Sequence, residues 1–119
     1  MKRFGPTLLL ALPLLVALVP QAVDSTRTID VTISRYAFSP ERIEVRVGER
    51  LRLNVVSVDG THGLQVKALG LNASIPAGGR TVTVELTPTE VGTFEINCSK
   101  YCGRGHGRMR ASLIVRPDR

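Results

Sequence analysis

Residues 97–110 read Asn-Cys-Ser-Lys-Tyr-Cys-Gly-Arg-Gly-His-Gly-Arg-Met-Arg. Two thiols, an imidazole and a thioether (Cys98, Cys102, His106 and Met109) thus fall within one short segment. The other histidine of the chain, His62, follows the turn dipeptide Asp59-Gly60. Both cysteines and both histidines are then accounted for by one candidate site. The softness of these groups selects among metals: thiolates, imidazoles and a thioether suit copper better than hard cations, and methionine is not a usual zinc ligand. One thiolate, two histidines and a weak axial methionine make a mononuclear blue-copper site, but here there is one cysteine too many. Two thiolates can instead bridge two copper ions, each completed by one histidine. Met109 is then a weak axial ligand to one ion, and a backbone carbonyl between the cysteines serves the other. Blander readings stay open at this point. They are a local Cys98–Cys102 disulfide, which would restrain little unfolded chain, a zinc site, and a mononuclear copper site of His62, Cys102, His106 and Met109 that leaves Cys98 free.

The elements that must position these residues read as short strands. Ile29, Val31 and Ile33 alternate with polar residues, as do Ile43, Val45 and Val47, then Leu51, Leu53 and Val55. Leu64 and Val66, then Val82, Val84 and Leu86, then Phe94 and Ile96, and finally Ala111, Leu113 and Val115 repeat the pattern. Alternation of this kind marks half-buried strands. Gly48-Glu49-Arg50, Asp59-Gly60 and Pro88 to Gly92 read as turns, and Gly70 to Arg80 as a loop. About seven strands with no useful helical period predict an all-β Greek-key sandwich. Residues of equal parity share one face of a strand. Cys98 shares parity with Phe94 and Ile96, Met109 with Ala111 to Val115, and His62 with Leu64 and Val66, so these three are expected to point inward. Parity does not carry through the loop to Cys102 and His106. Tyr36, Phe38 and Phe94 are expected in the core; Tyr101, between the cysteines, reads as core or shielding, with a place on the electron path as the alternative.

The chain has 119 residues, 43% of them hydrophobic, with no Trp. That length supports one domain and excludes a multidomain enzyme or a polytopic membrane protein. A domain this small buries only about 60–65% of its unfolded surface, which disfavours a large enclosed cofactor. No Ser/His/Asp arrangement or Gly-rich phosphate loop is visible, so no catalytic residues are assigned. The basic charge is spread over the strands without stacking aromatics, so no nucleic-acid partner is expected.

Residues 1–22 stand apart. Lys2 and Arg3 precede the uncharged run Leu8–Val19, which reads as a secretory signal ending near Ala22. The rival reading is a single uncleaved anchor. The run would span ~18 Å as helix, short of the ~30 Å hydrocarbon core, and extending it to residues 4–22 takes in Pro6, Pro13 and Pro20. Residues 23–119 form the domain, periplasmic or otherwise extracytoplasmic, with any membrane association running through residues 4–22. Without Lys2 and Arg3 the net charge falls from +6 to +4.

The segment Cys98-Ser99-Lys100-Tyr101-Cys102-Gly103-Arg104-Gly105-His106-Gly107-Arg108-Met109 resembles the C-x-x-x-C-G-x-x-H-x-x-M ligand loop of CuA domains. Such domains occur in subunit II of haem–copper cytochrome c oxidases and in nitrous oxide reductase. Tyr36-Ala37-Phe38-Ser39-Pro40, the Val45–Leu53 strand pair and Thr61-His62-Gly63 resemble the same cupredoxin domain, so the similarity covers roughly residues 28–116. It implies that Cys98 and Cys102 bridge two coppers, that His62 and His106 each ligate one, that Met109 is axial and that Lys100 supplies its backbone carbonyl. The implied function is single-electron transfer from a c-type cytochrome or cupredoxin to oxidase subunit I. A free periplasmic carrier or a copper-delivery protein would use the same ligands.

Three departures from the family stand out. Many members carry a magnesium-binding Glu where this chain has Lys100. Their docking surface for cytochrome c is acidic and often contains a Trp, whereas here Lys100, Arg104, Arg108 and Arg110 make the loop basic with no acid between them, which implies acidic partners and a raised potential. Many also carry a two-helix anchor, for which residues 1–22 leave room for one helix at most.

Overall fold

The structure, a computed structural model, describes residues 2–20 and 25–118. The expected cleavage point at Ala22 and the domain boundary at residues 22–23 lie outside the described residues. Residues 2–20 carry no helix or strand, and among the described residues no helix is long and apolar enough to cross a membrane.

Nine strands follow in chain order: β1 (Thr26–Ser34), β2 (Ala37–Ser39), β3 (Arg42–Arg46), β4 (Arg50–Ser57), β5 (His62–Val66), β6 (Leu71–Ile75), β7 (Val82–Leu86), β8 (Gly92–Asn97) and β9 (Arg110–Arg116). They form two sheets, ordered β2-β1-β4-β7 and β3-β9-β8-β5-β6. The chain passes repeatedly from one sheet to the other, and this brings strands distant in sequence side by side. β1 pairs parallel with β4 from Thr26↔Arg50 to Ile33↔Ser57, and β3 pairs parallel with β9 from Arg42↔Ser112 to Arg46↔Arg116. The all-β Greek-key sandwich expected from the alternation is the fold observed.

The alternating residues meet between the sheets. Val31, Ile33, Leu51, Leu53 and Val55 from the first sheet pack against Ile43, Val45, Leu64, Val66, Ile96, Leu113 and Val115 from the second, all fully buried. Each such side chain contributes ~1.5–3 kcal/mol through removal of apolar surface from water. The register is held because a slip of one residue would turn every apolar side chain outward.

Two expectations are corrected. The segment Gly70 to Arg80 is not a loop throughout, since Leu71–Ile75 forms edge strand β6, paired antiparallel with β5. Its alternation of Leu71, Ala73 and Ile75 with Asn72 and Ser74 is short and weakly apolar, and Ile75 alone of these is fully buried. Tyr36 is not core: it stands 40% exposed at the turn between β1 and β2, while Phe38 is buried as expected and Phe94 is partly buried.

Candidate metal centre

The site forms where β5 and β8 part. These neighbours share one paired position, Gln65↔Asn97, reinforced by the Asn97 amide donating to Gln65 Oε1 at 3.2 Å. Beyond it Cys98 leaves the sheet, and the Gly63 N–H donates to Cys98 Sγ across 3.5 Å. Side-chain parity delivers three candidate ligands to the interior as expected, with His62 0%, Met109 1% and Cys98 4% exposed.

The loop then folds back over this end of the sandwich. A 3₁₀ turn, His106–Arg108, is closed by His106 N–H donating to Gly103 O at 3.1 Å and Arg108 N–H to Gly105 O at 3.0 Å. Two contacts from the β1–β2 turn hold the loop down. Arg35 Nε donates to the Cys102 carbonyl at 2.9 Å. The ring of Tyr36 lies against Gly103 and Gly105, where a Cβ on either glycine would collide with it. Gly103 also has φ +135°, a conformation that L side chains rarely adopt.

The loop thereby brings Cys102 and His106 to the inward-pointing ligands. Cys98 and Cys102 are free thiols with Sγ atoms 3.8 Å apart. His62 Nδ1 lies 3.9 Å from Cys98 Sγ, and His106 Nδ1 lies 3.7 Å from Cys102 Sγ. The Lys100 carbonyl accepts from Cys98 Sγ at 3.1 Å, and Met109 Sδ sits 3.2 Å from Cys102 Sγ. The six atoms divide into two halves, each with one thiol sulfur, one imidazole nitrogen and one weak donor, the Lys100 carbonyl in one and the Met109 thioether in the other. Ligand atoms of His62, Cys98 and Cys102 all lie within 4.8 Å of one another, and His106 joins them through Cys102.

This donor set fits a metal. Ligands bound at ~2.1–2.3 Å around a tetrahedral ion stand ~3.6–3.8 Å apart, close to the S···S and S···N separations found here. Two thiols and a thioether make the set soft. The open disulfide reading fails on geometry, since 3.8 Å between sulfurs is far beyond a bond of ~2.05 Å.

A carboxylate supports the first histidine. Asp59 Oδ1 accepts from His62 Nε2 at 2.5 Å, which leaves Nδ1 with its lone pair toward Cys98. Metal-binding histidines are commonly oriented in this way. Asp59 Oδ2 in turn accepts the Arg35 N–H at 2.7 Å, and Ser57 Oγ donates to Gly60 O at 2.5 Å, shaping the corner. Burial opposes the Asp59 carboxylate, but the His62 and Arg35 hydrogen bonds hold its pKa below the ordinary value. Burial pushes the Cys102 thiol up to about 11, and the neighbouring Cys98 adds to the rise.

Asp59 was legible only as a turn residue, although an acid three positions before a turn histidine is a usable signal. Arg35 offered none. Tyr101 is not core: it is 77% exposed, its ring centroid 5.7 Å from that of His106. Arg110 is not a free cation of the rim, because it pairs with Glu95.

The family model of the cupredoxin-like domain matches residues 7–115. Among curated proteins, cytochrome c oxidase subunit 2 of Thermus thermophilus is 30% identical over 98 residues, which cover 82% of this chain and 72% of that protein. A second subunit 2 from a named strain of the same organism gives the same identity, and there the chain spans 58% of the relative's length. Among solved structures, the periplasmic domain of subunit II of cytochrome oxidase from Bradyrhizobium japonicum aligns with a TM-score of 0.68 at 21% identity, over 85% of this chain and 89% of that one. This last likeness is one of fold.

Proposed function

The chain belongs to the cupredoxin-like family, among the relatives of cytochrome c oxidase subunit 2, and from that premise we propose that it carries single electrons through a two-copper centre held by His62, Cys98, Cys102, His106, Met109 and the Lys100 carbonyl. The observation that supports this is the division of the donors into two matched halves around a 3.8 Å pair of sulfurs. A mononuclear site would leave Cys98 idle, yet its thiol is buried within the same cluster. Bound copper supplies one-electron oxidation and reduction.

The chain's own residues do the rest. The sandwich fixes His62, Cys98 and Met109 on strand ends. Arg35 and Tyr36 clamp the loop that carries Cys102 and His106, and Asp59 sets the His62 ring. A donor cage held this rigidly reorganises little when the charge on the centre changes. The chain breaks no bonds by itself in this reading. It is exported by residues 1–22 and takes electrons from a small redox protein for an oxidase subunit I. Retention of residues 1–22 in the membrane fraction supports the oxidase subunit, whereas a soluble chain beginning near Val23 supports a free carrier.

The test is an EPR spectrum of the copper-loaded chain with copper counted per chain. Seven narrow hyperfine lines and two coppers are expected. Four lines and one copper would overturn the binuclear centre. Cys98→Ser is expected to abolish the seven-line signal and leave at most one copper.

A further inference from the structure

The loop that carries Cys102 and His106 differs electrostatically from the rest of the sandwich. On the strands Arg27 pairs with Glu49, Arg42 and Arg116 with Glu44, Arg52 with Glu85, and Arg110 with Glu95, while Arg46 donates to the Pro117 and Asp118 carbonyls. Lys100, Arg104 and Arg108 are exposed and, among the described residues, have no carboxylate within ion-pair distance. No Asp or Glu occurs between Glu95 and Asp118, so the loop brings no acid of its own to offset them. Lys100 adjoins Tyr101 in the chain and Arg104 and Arg108 stand two residues either side of His106, and Tyr101, 77% exposed, lies beside the ring of His106. His106 is itself only partly buried, unlike His62. An exposed aromatic against the least buried candidate side-chain ligand, on a loop whose exposed charges are all positive, has the makeup of a docking surface with a hot spot at its centre.

We infer that the face formed by Tyr101, Lys100, Arg104 and Arg108 docks an acidic one-electron redox protein, centred on the Tyr101–His106 pair. The inference rests on the electron-transfer reading above and adds the charge of the partner and its point of entry. Charge complementarity selects the occupant: an uncompensated basic rim steers an anionic protein surface toward the aromatic and repels a cationic one.

The test uses the full chain in neutral detergent with two c-type cytochromes as probes, one of net negative and one of net positive charge. Binding is read first on the metal-free chain, by amide chemical-shift changes and titration at increasing salt. The acidic cytochrome is expected to shift the amides around Tyr101, Arg104 and Arg108 and to lose affinity as salt rises. Arg104→Glu/Arg108→Glu is expected to weaken that binding roughly ten-fold at low salt. Arg104→Lys/Arg108→Lys restores it, and unchanged amide shifts of the core strands verify folding. Lys67→Glu makes the same kind of charge change beyond the far end of β5, ~16 Å along the strand direction from His62, and is expected to leave binding within two-fold.

Equal or tighter binding of the basic cytochrome would overturn the inference, as would an equal effect of Lys67→Glu. So would capture of the loop by phosphatidylglycerol vesicles while the acidic cytochrome is ignored. If the acidic cytochrome binds this face but passes no electron to the copper-loaded chain, the surface stands and the electron-transfer reading falls.

Discussion

The backbone N–H of Gly63 on β5 donates to Cys98 Sγ across 3.5 Å, so a sheet strand and the first residue of the loop meet without a side chain between them. A Cβ at Gly63 would strike Ser99 Oγ and approach the Ser99 and Lys100 backbone nitrogens to 3.0 and 3.1 Å. The serine hydroxyl can swing away, but the two backbone atoms cannot. Gly63→Ala is therefore expected to push the loop off the sheet and destabilise the metal-free chain by about 1–3 kcal/mol. Urea unfolding measures the loss, and a copper titration is expected to show weakened uptake.

Asp59 reaches the centre through His62, and its other oxygen holds the backbone of Arg35, whose side chain holds the Cys102 carbonyl. Asp59→Ala removes the acceptor 2.5 Å from His62 Nε2 and frees the ring to rotate or change tautomer. Copper affinity is expected to fall roughly 10–100-fold, with Asp59→Asn losing less because its amide oxygen still accepts. Nitrogen-15 shifts of the His62 ring in the metal-free chain report the tautomer directly. An unchanged tautomer distribution in Asp59→Ala would show that Asp59 does not orient the ring.

Met109 packs as well as faces the thiols, being 1% exposed. Met109→Ala opens a cavity and is expected to cost about 2–5 kcal/mol in the metal-free chain. Met109→Leu keeps the volume and is expected to cost less than ~1.5 kcal/mol. If the thioether also touches copper, the leucine variant changes the optical and EPR spectra of the loaded chain while leaving metal-free stability almost intact. Comparing the two variants separates the roles.

The buried Cys102 thiol makes the metal-free fold sensitive to alkali. Burial first, and then the Cys98 thiol, raise its pKa from 9.0 to about 11. The folded state therefore keeps a proton that the unfolded state gives up. The resulting stability is complete below pH 9 and is lost as pH rises toward 11, on the order of 2 kcal/mol. Cys102→Ala is expected to flatten this part of the urea stability curve relative to the parent chain.

At the acid end Glu44 sets the trend. Hydrogen bonds from Arg116 and Arg42 hold its carboxyl below the ordinary 4.5. Its contribution is present above pH 4.5 and is lost as pH falls through the lowered value. The group is exposed, so the effect is small, but it joins β3 to β9. Glu44→Gln is expected to reduce the acid dependence of stability and leave the neutral-pH copper spectrum unchanged.

Strand periodicity made the two-sheet core legible in the amino-acid sequence, and with it the inward direction of His62, Cys98 and Met109. A strand has a period of two, and each of these residues continues an alternating run of buried neighbours. The chemistry of the donor set was legible for a similar reason, because thiols, imidazoles and a thioether carry their softness wherever they are placed. Edge strand β6 was less legible, since its burial comes from its single neighbour β5 rather than from its own apolar content.

Only the tertiary structure decided where Cys102 and His106 point. A loop with three glycines has no period, and its path is set by groups remote in the chain. Arg35 reaches the Cys102 carbonyl across 67 positions, and Tyr36 occupies the space that Gly103 and Gly105 leave free. The same holds for charge. Arg110 is one of four similar cations in the linear loop, but β8 places Glu95 against it and leaves Lys100, Arg104 and Arg108 to define the exposed face.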